Sequence, residues 1–276
     1  VSLALLAAVV AGALIGLSLG ALGGGGSILA VPVLLALGQT ASQATTGSLV
    51  IVGVTSLAGA VTAHRAGNVL LARGAAFGVV AIGGAVVGAH ASAAVPEAVL
   101  LGAFAVLMLV VAALMTARQL RSRRGASAGS HVDRPRLDDP IITFSPTFMC
   151  QCPRALKVLV TATAVGLLTG FLGVGGGFLV VPALTLALAL PMGYAAGTSL
   201  VVITITSTAA LATRAGNGIA PDWWLVAALT VTAVAGSVAG ARLAARTDTA
   251  KLSAAFTALV LLVAAYTAAT AVPALI

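Results

Sequence analysis

"GFLGVGGGFLVVPAL", residues 170–184, places a run of glycines inside an apolar stretch. A phosphate-cradling loop needs a Lys and then Ser or Thr after its last glycine, or a strand, turn and helix with an acidic residue further on. Here Phe178, Leu179 and Val180 follow the glycines, and no acidic residue appears before Asp222. The stretch points away from a nucleotide-binding enzyme and toward glycines that interrupt a helix.

Composition supplies the setting for such a helix. The 276-residue chain is 60% hydrophobic and only 7% charged, against about 25% charged in soluble domains. Apolar runs recur from end to end, each long enough to cross a hydrocarbon core about 30 Å thick. A cleaved signal peptide is one short apolar segment and does not produce this pattern. The expected class is an all-α polytopic membrane protein in a lipid bilayer.

The net charge of +8 is not a nucleic-acid footprint. Eight of the fourteen basic residues lie between Arg118 and Lys157, and Arg65 and Arg73 share another short loop, the clustering that the positive-inside bias produces. Cys150 and Cys152 are too few for a disulfide framework, and no His or Cys cluster with zinc-ligand spacing surrounds them. They read as two thiols at the cytoplasmic entrance of a helix. No metal, cofactor or nucleic-acid partner is expected, and the sequence specifies no oligomeric state.

The quoted stretch occurs twice. "GALGGGGSILAVPVL", residues 20–34, matches it at nine of fifteen places with an offset of 150, including Gly25 with Gly175, Gly26 with Gly176 and Pro32 with Pro182. Further on, "GSLVIVGVTS" at 47–56 parallels "TSLVVITITS" at 198–207, and "RAGN" at 65–68 recurs at 214–217. The expected organisation is a first transmembrane repeat over 1–122, a cytoplasmic linker over 123–154 and a second transmembrane repeat over 155–276. The linker is the one polar segment, rich in Gly, Ser, Pro and mixed charge.

Each repeat reads as five helical segments, the second short or broken. They are expected at about 2–22, 27–38, 43–63, 71–94 and 97–118, then 157–173, 177–190, 194–213, 223–245 and 250–271, giving 8–10 membrane segments. Counting each broken piece as a crossing puts Arg65, Arg73, the linker and the loop of Arg242, Arg246 and Lys251 on the cytoplasmic side, with Arg214 alone outside. The repeats are then inverted. If the broken piece merely dips and returns, each half crosses four times and the three-charge loop falls outside, against the charge bias.

Backbone at membrane depth survives without helical hydrogen bonds only where protein or a wet cavity surrounds it. Gly-interrupted short segments at corresponding places of two repeats mark transporter binding sites; close packing through small residues is the alternative use of glycine. Helix N-termini after the breaks offer N–H groups and positive dipole ends to an anion. Nearby hydroxyls are Ser27, Thr45, Thr46, Ser48, Thr55 and Ser56 in the first half, and Thr198, Ser199, Thr204, Thr206, Ser207 and Thr208 in the second; each can instead bond back to its own helix. The substrate-binding candidates are Gly24, Gly25, Gly26, Ser27, Thr46, Ser48, Gly175, Gly176, Gly177, Thr198 and Ser199. Arg65 and Arg214 are candidates to attract the anion at the two mouths, or plain interface anchors.

The six acidic residues, Glu97, Asp133, Asp138, Asp139, Asp222 and Asp248, all fall in the linker or at helix ends, so the carboxylate relay of a proton-driven carrier is missing. An inside-negative membrane expels an anion by about 2.3 kcal/mol per charge per 100 mV. Efflux of an anion then needs no coupling ion.

The two glycine motifs, "AAGTSLVVITITS" and the doubled RAGN resemble the sulfite exporter TauE/SafE family, also called the sulfonate uptake permease family, over nearly the whole chain. The resemblance implies a multi-pass inner-membrane permease for small sulfur-containing anions such as sulfite, sulfoacetate and related organosulfonates, in export or uptake. A membrane-embedded enzyme would need paired acids, a His cluster or a nucleophile with a base inside the spans, and none is present, so no catalytic residue is expected. The other readings are an uptake permease for another small anion, a non-transporting membrane subunit and an open channel.

Overall fold

The computed structural model of the protein describes residues 2–92, 97–126, 152–172, 177–186, 188, 190–214 and 221–275. Among them are ten α-helices and no strand: α1 (Ser2–Leu22), α2 (Gly25–Ala36), α3 (Ala41–Arg65), α4 (Leu71–Ser92), α5 (Glu97–Ala126), α6 (Cys152–Leu172), α7 (Gly177–Leu186), α8 (Met192–Arg214), α9 (Trp223–Ala245) and α10 (Thr249–Leu275). The sequence-derived linker lies largely outside the described residues, as do Cys150, Gly175 and Gly176. Helices α5 and α6 extend past their expected ends at 118 and 157. Apolar runs mark only the embedded part of a helix, whereas Arg118, Arg121, Arg123 and Arg124 are good helix formers that let α5 continue beyond it.

The helix ends have local causes. The Thr40 hydroxyl accepts from the Gln43 N–H at 3.4 Å, and Gln43 Oε1 accepts from the Thr40 N–H at 3.2 Å. This capping box opens α3. Asp222 opens α9 by accepting from the N–H groups of Trp224 and Leu225. At the end of α1, Gly23 takes φ +74°, a left-handed conformation that a side chain would strain.

Short α2 doubles back along α1. A side chain on Gly26 would meet the Ile15 carbonyl and Leu19, and further along Leu34 shares a buried cluster with Ala8 near the start of α1. At 1.5 Å per residue a 12-residue helix spans roughly 18 Å, too little to cross by itself. Helix α7, the other short one, is buried along most of its length, including Gly177, Phe178, Val181 and Pro182.

Glycines set the direction of the long pairs. Along α1, Gly16 faces Ala233 and Gly20 faces Ser237, so α1 and α9 run parallel. Gly84 and Gly88 of α4 face Thr163 and Leu167, while Gly166 and Gly170 of α6 face Ala81 and Ala85, so that pair is parallel too. At these six glycines an added Cβ would meet partner backbone, which is the close approach that small residues permit between membrane helices. In contrast, α3 and α8 cross antiparallel, with Gly53 against Ser207 and Gly59 against Leu200.

Among the described residues, four helical stretches are long and apolar enough to cross a membrane: Gln43–Arg65, Leu71–Gly88, Met192–Thr213 and Trp223–Ala245. The first and third are 61% and 50% buried, against 33% for each of the others, so α3 and α8 form the centre. Outward faces carry exposed Leu14, Leu17, Val79, Val87, Leu109, Leu114, Leu159, Val160, Val231 and Leu262. An apolar surface spread over that many helices is the face a protein offers to lipid.

Candidate functional site

The duplicated glycine motifs meet at the N-termini of α2 and α7. Gly24 faces the carbonyl of Gly177 and the Cα of Phe178, and a Cβ on Gly177 would lie 2.9 Å from the Ser27 hydroxyl and 2.7 Å from Ile203. Only glycine lets two helix starts approach this closely. Gly24, Ser27 and Gly177, three of the sequence-derived site residues, therefore stand together. Gly25 turns toward Leu259 of α10, and Gly26 packs on α1.

Gly24 is the N-cap of α2 and supplies no side-chain acceptor. Ser27 does not cap either; its N–H and its hydroxyl both donate to the Gly24 carbonyl, at 3.3 and 2.7 Å. The N–H groups of Gly25 and Gly26 thus lack a capping side chain, and no side chain of α2 neutralises the positive end of its dipole there. Such an end suits an anion.

Helix α8 grips the tip of the α1–α2 hairpin. The single O–H of Ser199, fully buried, is shared between the Gly23 carbonyl at 2.6 Å and the Ala196 carbonyl of its own helix at 2.8 Å. Its neighbour Thr198 acts differently, accepting at its hydroxyl from the Leu70 N–H at 3.1 Å. That bond ties the loop after Arg65 to the start of α8, with Gly197 seated under the Asn68 carbonyl. Arg65 is exposed in the last turn of α3, at the end where the hairpin tip is held.

Thr46 and Ser48 are buried but belong elsewhere. Ser48 donates to the Thr45 carbonyl at 2.8 Å, the back-bond that competes with a binding role. Because Gly59 stands opposite Leu200, Ser48 lies roughly 18 Å along the helix axis from the level of Ser199. The candidate set is divided in two, one group on each side of the α3–α8 crossing.

Helix directions also sort the basic residues. Gly47 faces Val226 and Gly59 lies beside Ser237, so α3 and α9 run parallel. Arg65, Arg242 and Arg246 emerge at one end, with Arg73 in the first turn of α4 and Lys251 in that of α10. Helix α8 runs the other way and ends with Arg214 at the opposite end.

Sequence reasoning passed over Gly23, Gln39 and Ser237. Gly23 leads the run of four glycines and so was within reach. Ser237 is fully buried and donates to the Thr55 carbonyl at 3.2 Å. Gln39, between α2 and α3, is 8% exposed and its carboxamide has no partner; nothing in its sequence neighbourhood signals this.

The family model described as sulfite exporter TauE/SafE matches residues 8–267. A "Probable membrane transporter protein" of Xylella fastidiosa (strain 9a5c) is 31% identical over 259 residues, covering 92% of this chain and 91% of that one. A protein of the same description from Xylella fastidiosa (strain Temecula1 / ATCC 700964) is 35% identical over 194 residues, 70% of this chain and 67% of its own. No solved structure matches the chain.

Proposed function

The chain belongs to the sulfite exporter TauE/SafE family of membrane transporters, and from that premise we propose that it is a permease moving a small anion, a sulfur oxyanion or organosulfonate of the sulfite or sulfoacetate kind, out across the inner membrane. The observation that carries the reading is the meeting of Gly24 and Gly177. Two interrupted helices there bring their N-terminal ends to one buried place, where Gly24 leaves the first turn of α2 without a side-chain cap. Helix N-termini aimed at an anion are a recurrent device of transporter sites.

The chain works as two repeats, 1–122 and 155–276, joined by a cytoplasmic linker. Pairing of helices supports this: α1 with α9 corresponds to α6 with α4 when the halves are exchanged, and α3 with α8 and α5 with α10 correspond to themselves. Each α1–α2 type hairpin enters and returns, so a half crosses three times. Three is odd, as five is, and the two halves are inverted with Arg65, Arg73, Arg242, Arg246 and Lys251 on the cytoplasmic side. Arg65 and Arg214 then stand at opposite mouths, where each raises the local concentration of anions.

Export follows from the membrane potential. With no carboxylate relay in the spans, an anion leaves down an inside-negative potential without a coupling ion. The test is flux of radiolabelled sulfite, sulfate and a small sulfonate in proteoliposomes, with and without an imposed potential. Saturable flux of one anion that follows the potential is expected. Flux of none of them from folded protein moves the reading to another substrate class or to a non-transporting subunit.

A further inference from the structure

Thr55 and Ser56, in the middle of α3, are both fully buried, and neither hydroxyl has a hydrogen-bond partner. Four threonines of α3, α8 and α9 take the carbonyl one turn back: Thr62 bonds Ala58, Thr204 bonds Leu200, Thr206 bonds Val202 and Thr230 bonds Val226. That acceptor is available to any Ser or Thr within a helix, so two adjacent residues that forgo it, with no other partner, are an exception. A buried hydroxyl left unpaired costs stability and calls for a reason.

Their place in the fold supplies one. The opposite side of α3 carries exposed Val54, Leu57 and Val61, so Thr55 and Ser56 lie on its inward side. One turn away Gly53 meets Ser207 and Gly59 meets Leu200, which puts the pair at the α3–α8 crossing. On α3, Val52 and Ala60 to either side of the pair belong to a buried cluster with Leu19, Ala30, Leu200 and Ile203, and Ile203 in turn touches Gly177 opposite Ser27. Ser237 holds the Thr55 carbonyl at 3.2 Å while leaving its hydroxyl unused.

We propose that the Thr55 and Ser56 hydroxyls form a binding station for the oxyanion midway through the protein, donating to its oxygens as it passes between the two groups of site residues. The inference rests on the anion-permease reading and adds to it the residues at the centre. Two neutral donors match an oxyanion without trapping it, since transport requires a site that binds firmly enough to load and weakly enough to release.

The test compares wild-type protein with Thr55→Val, Ser56→Ala, the double variant and Thr55→Ser, using sulfite flux in proteoliposomes and thermal unfolding of the purified proteins. Loss of a hydrogen bond to a charged ligand raises KM about tenfold or more. The expected result is that rise in Thr55→Val and Ser56→Ala, with unfolding temperature unchanged or higher, and a KM within about twofold of wild type in Thr55→Ser. A wild-type KM in the double variant overturns the station. So does a loss of flux that tracks a lower unfolding temperature, because the hydroxyls are then structural. Absence of saturable flux of sulfite, sulfate and a small sulfonate alike from folded wild-type protein overturns the sulfur-anion permease reading, and the station with it.

Discussion

The hydroxyl of Ser199 on α8 holds the carbonyl of Gly23 at 2.6 Å across 176 positions of sequence. This single bond joins the tip of the first hairpin to the second half of the chain, at the one residue of that tip with a left-handed backbone. Ser199→Ala leaves the buried carbonyl unpaired and is expected to cost about 1–3 kcal/mol. Gly23→Ala should cost more, because the left-handed conformation penalises a Cβ by about 1–2 kcal/mol and the Cβ would also meet backbone of Ala196. Thermal unfolding in detergent checks the order; equal temperatures for Gly23→Ala and wild type would show that the turn is not held as described.

The hairpin glycines predict a graded series. A Cβ at Gly24 or Gly26 meets backbone carbonyls, of Gly177 and Ile15 respectively, whereas at Gly25 it meets only the end of the Leu259 side chain. Flexible side-chain ends move and backbone does not. Gly24→Ala should therefore abolish most transport at normal membrane levels, Gly26→Ala should lose transport together with folded protein because it packs α2 on α1, and Gly25→Ala should retain much of its transport. Gly175→Leu and Gly176→Leu are expected to abolish transport as well. Flux assays normalised to membrane protein test the series, and normal rates from Gly24→Ala would remove the meeting of the two helix starts from the mechanism.

The duplicated motif makes the short helices legible in the sequence alone, because glycine in an apolar run has few uses and a repeat at a fixed offset has fewer. It did not separate the glycines by use. Gly20 and Gly170 belong to the motif yet pack α1 on α9 and α6 on α4, while Gly24 and Gly177 face each other. Which helix lies across from a glycine is a tertiary fact with no local signature. The same holds for hydroxyls: Thr204 and Thr206 bond to their own helix while Thr55 and Ser56 do not, although all four look alike in sequence. Charge clusters were more transparent: the sequence groups Arg65 with Arg246, and the parallel run of α3 and α9 brings both to one end of the bundle.

Glycines that pack and glycines that face open space should part company on substitution. Gly16→Leu drives a branched side chain into the backbone of Ala233, and Gly166→Leu does the same at Ala81. Overpacking at a helix contact of this kind costs about 1–3 kcal/mol or more, and both variants should lose folded protein on size-exclusion chromatography. Gly83 has no atom within 4 Å of its would-be Cβ. Gly83→Ala should be neutral or stabilising by about 0.5–1 kcal/mol, and a large loss there would contradict the packing of α4.

Sidedness is the most direct prediction to settle. Helix α9 spans 23 residues, about 34 Å at 1.5 Å per residue, enough to place its two ends in different compartments. Exposed Trp224 stands in its first turn and exposed Arg246 at its end. Aromatic side chains favour the interface and basic ones the cytoplasm. With Cys150→Ser and Cys152→Ser as background, Trp224→Cys should react with an impermeant maleimide added to intact cells, and Arg246→Cys only after permeabilisation. The reverse pattern would turn α9 over, carry Arg65 outside with it because α3 runs parallel, and leave Arg214 as the cytoplasmic mouth. Labelling of both from outside would mean that α9 does not cross at all.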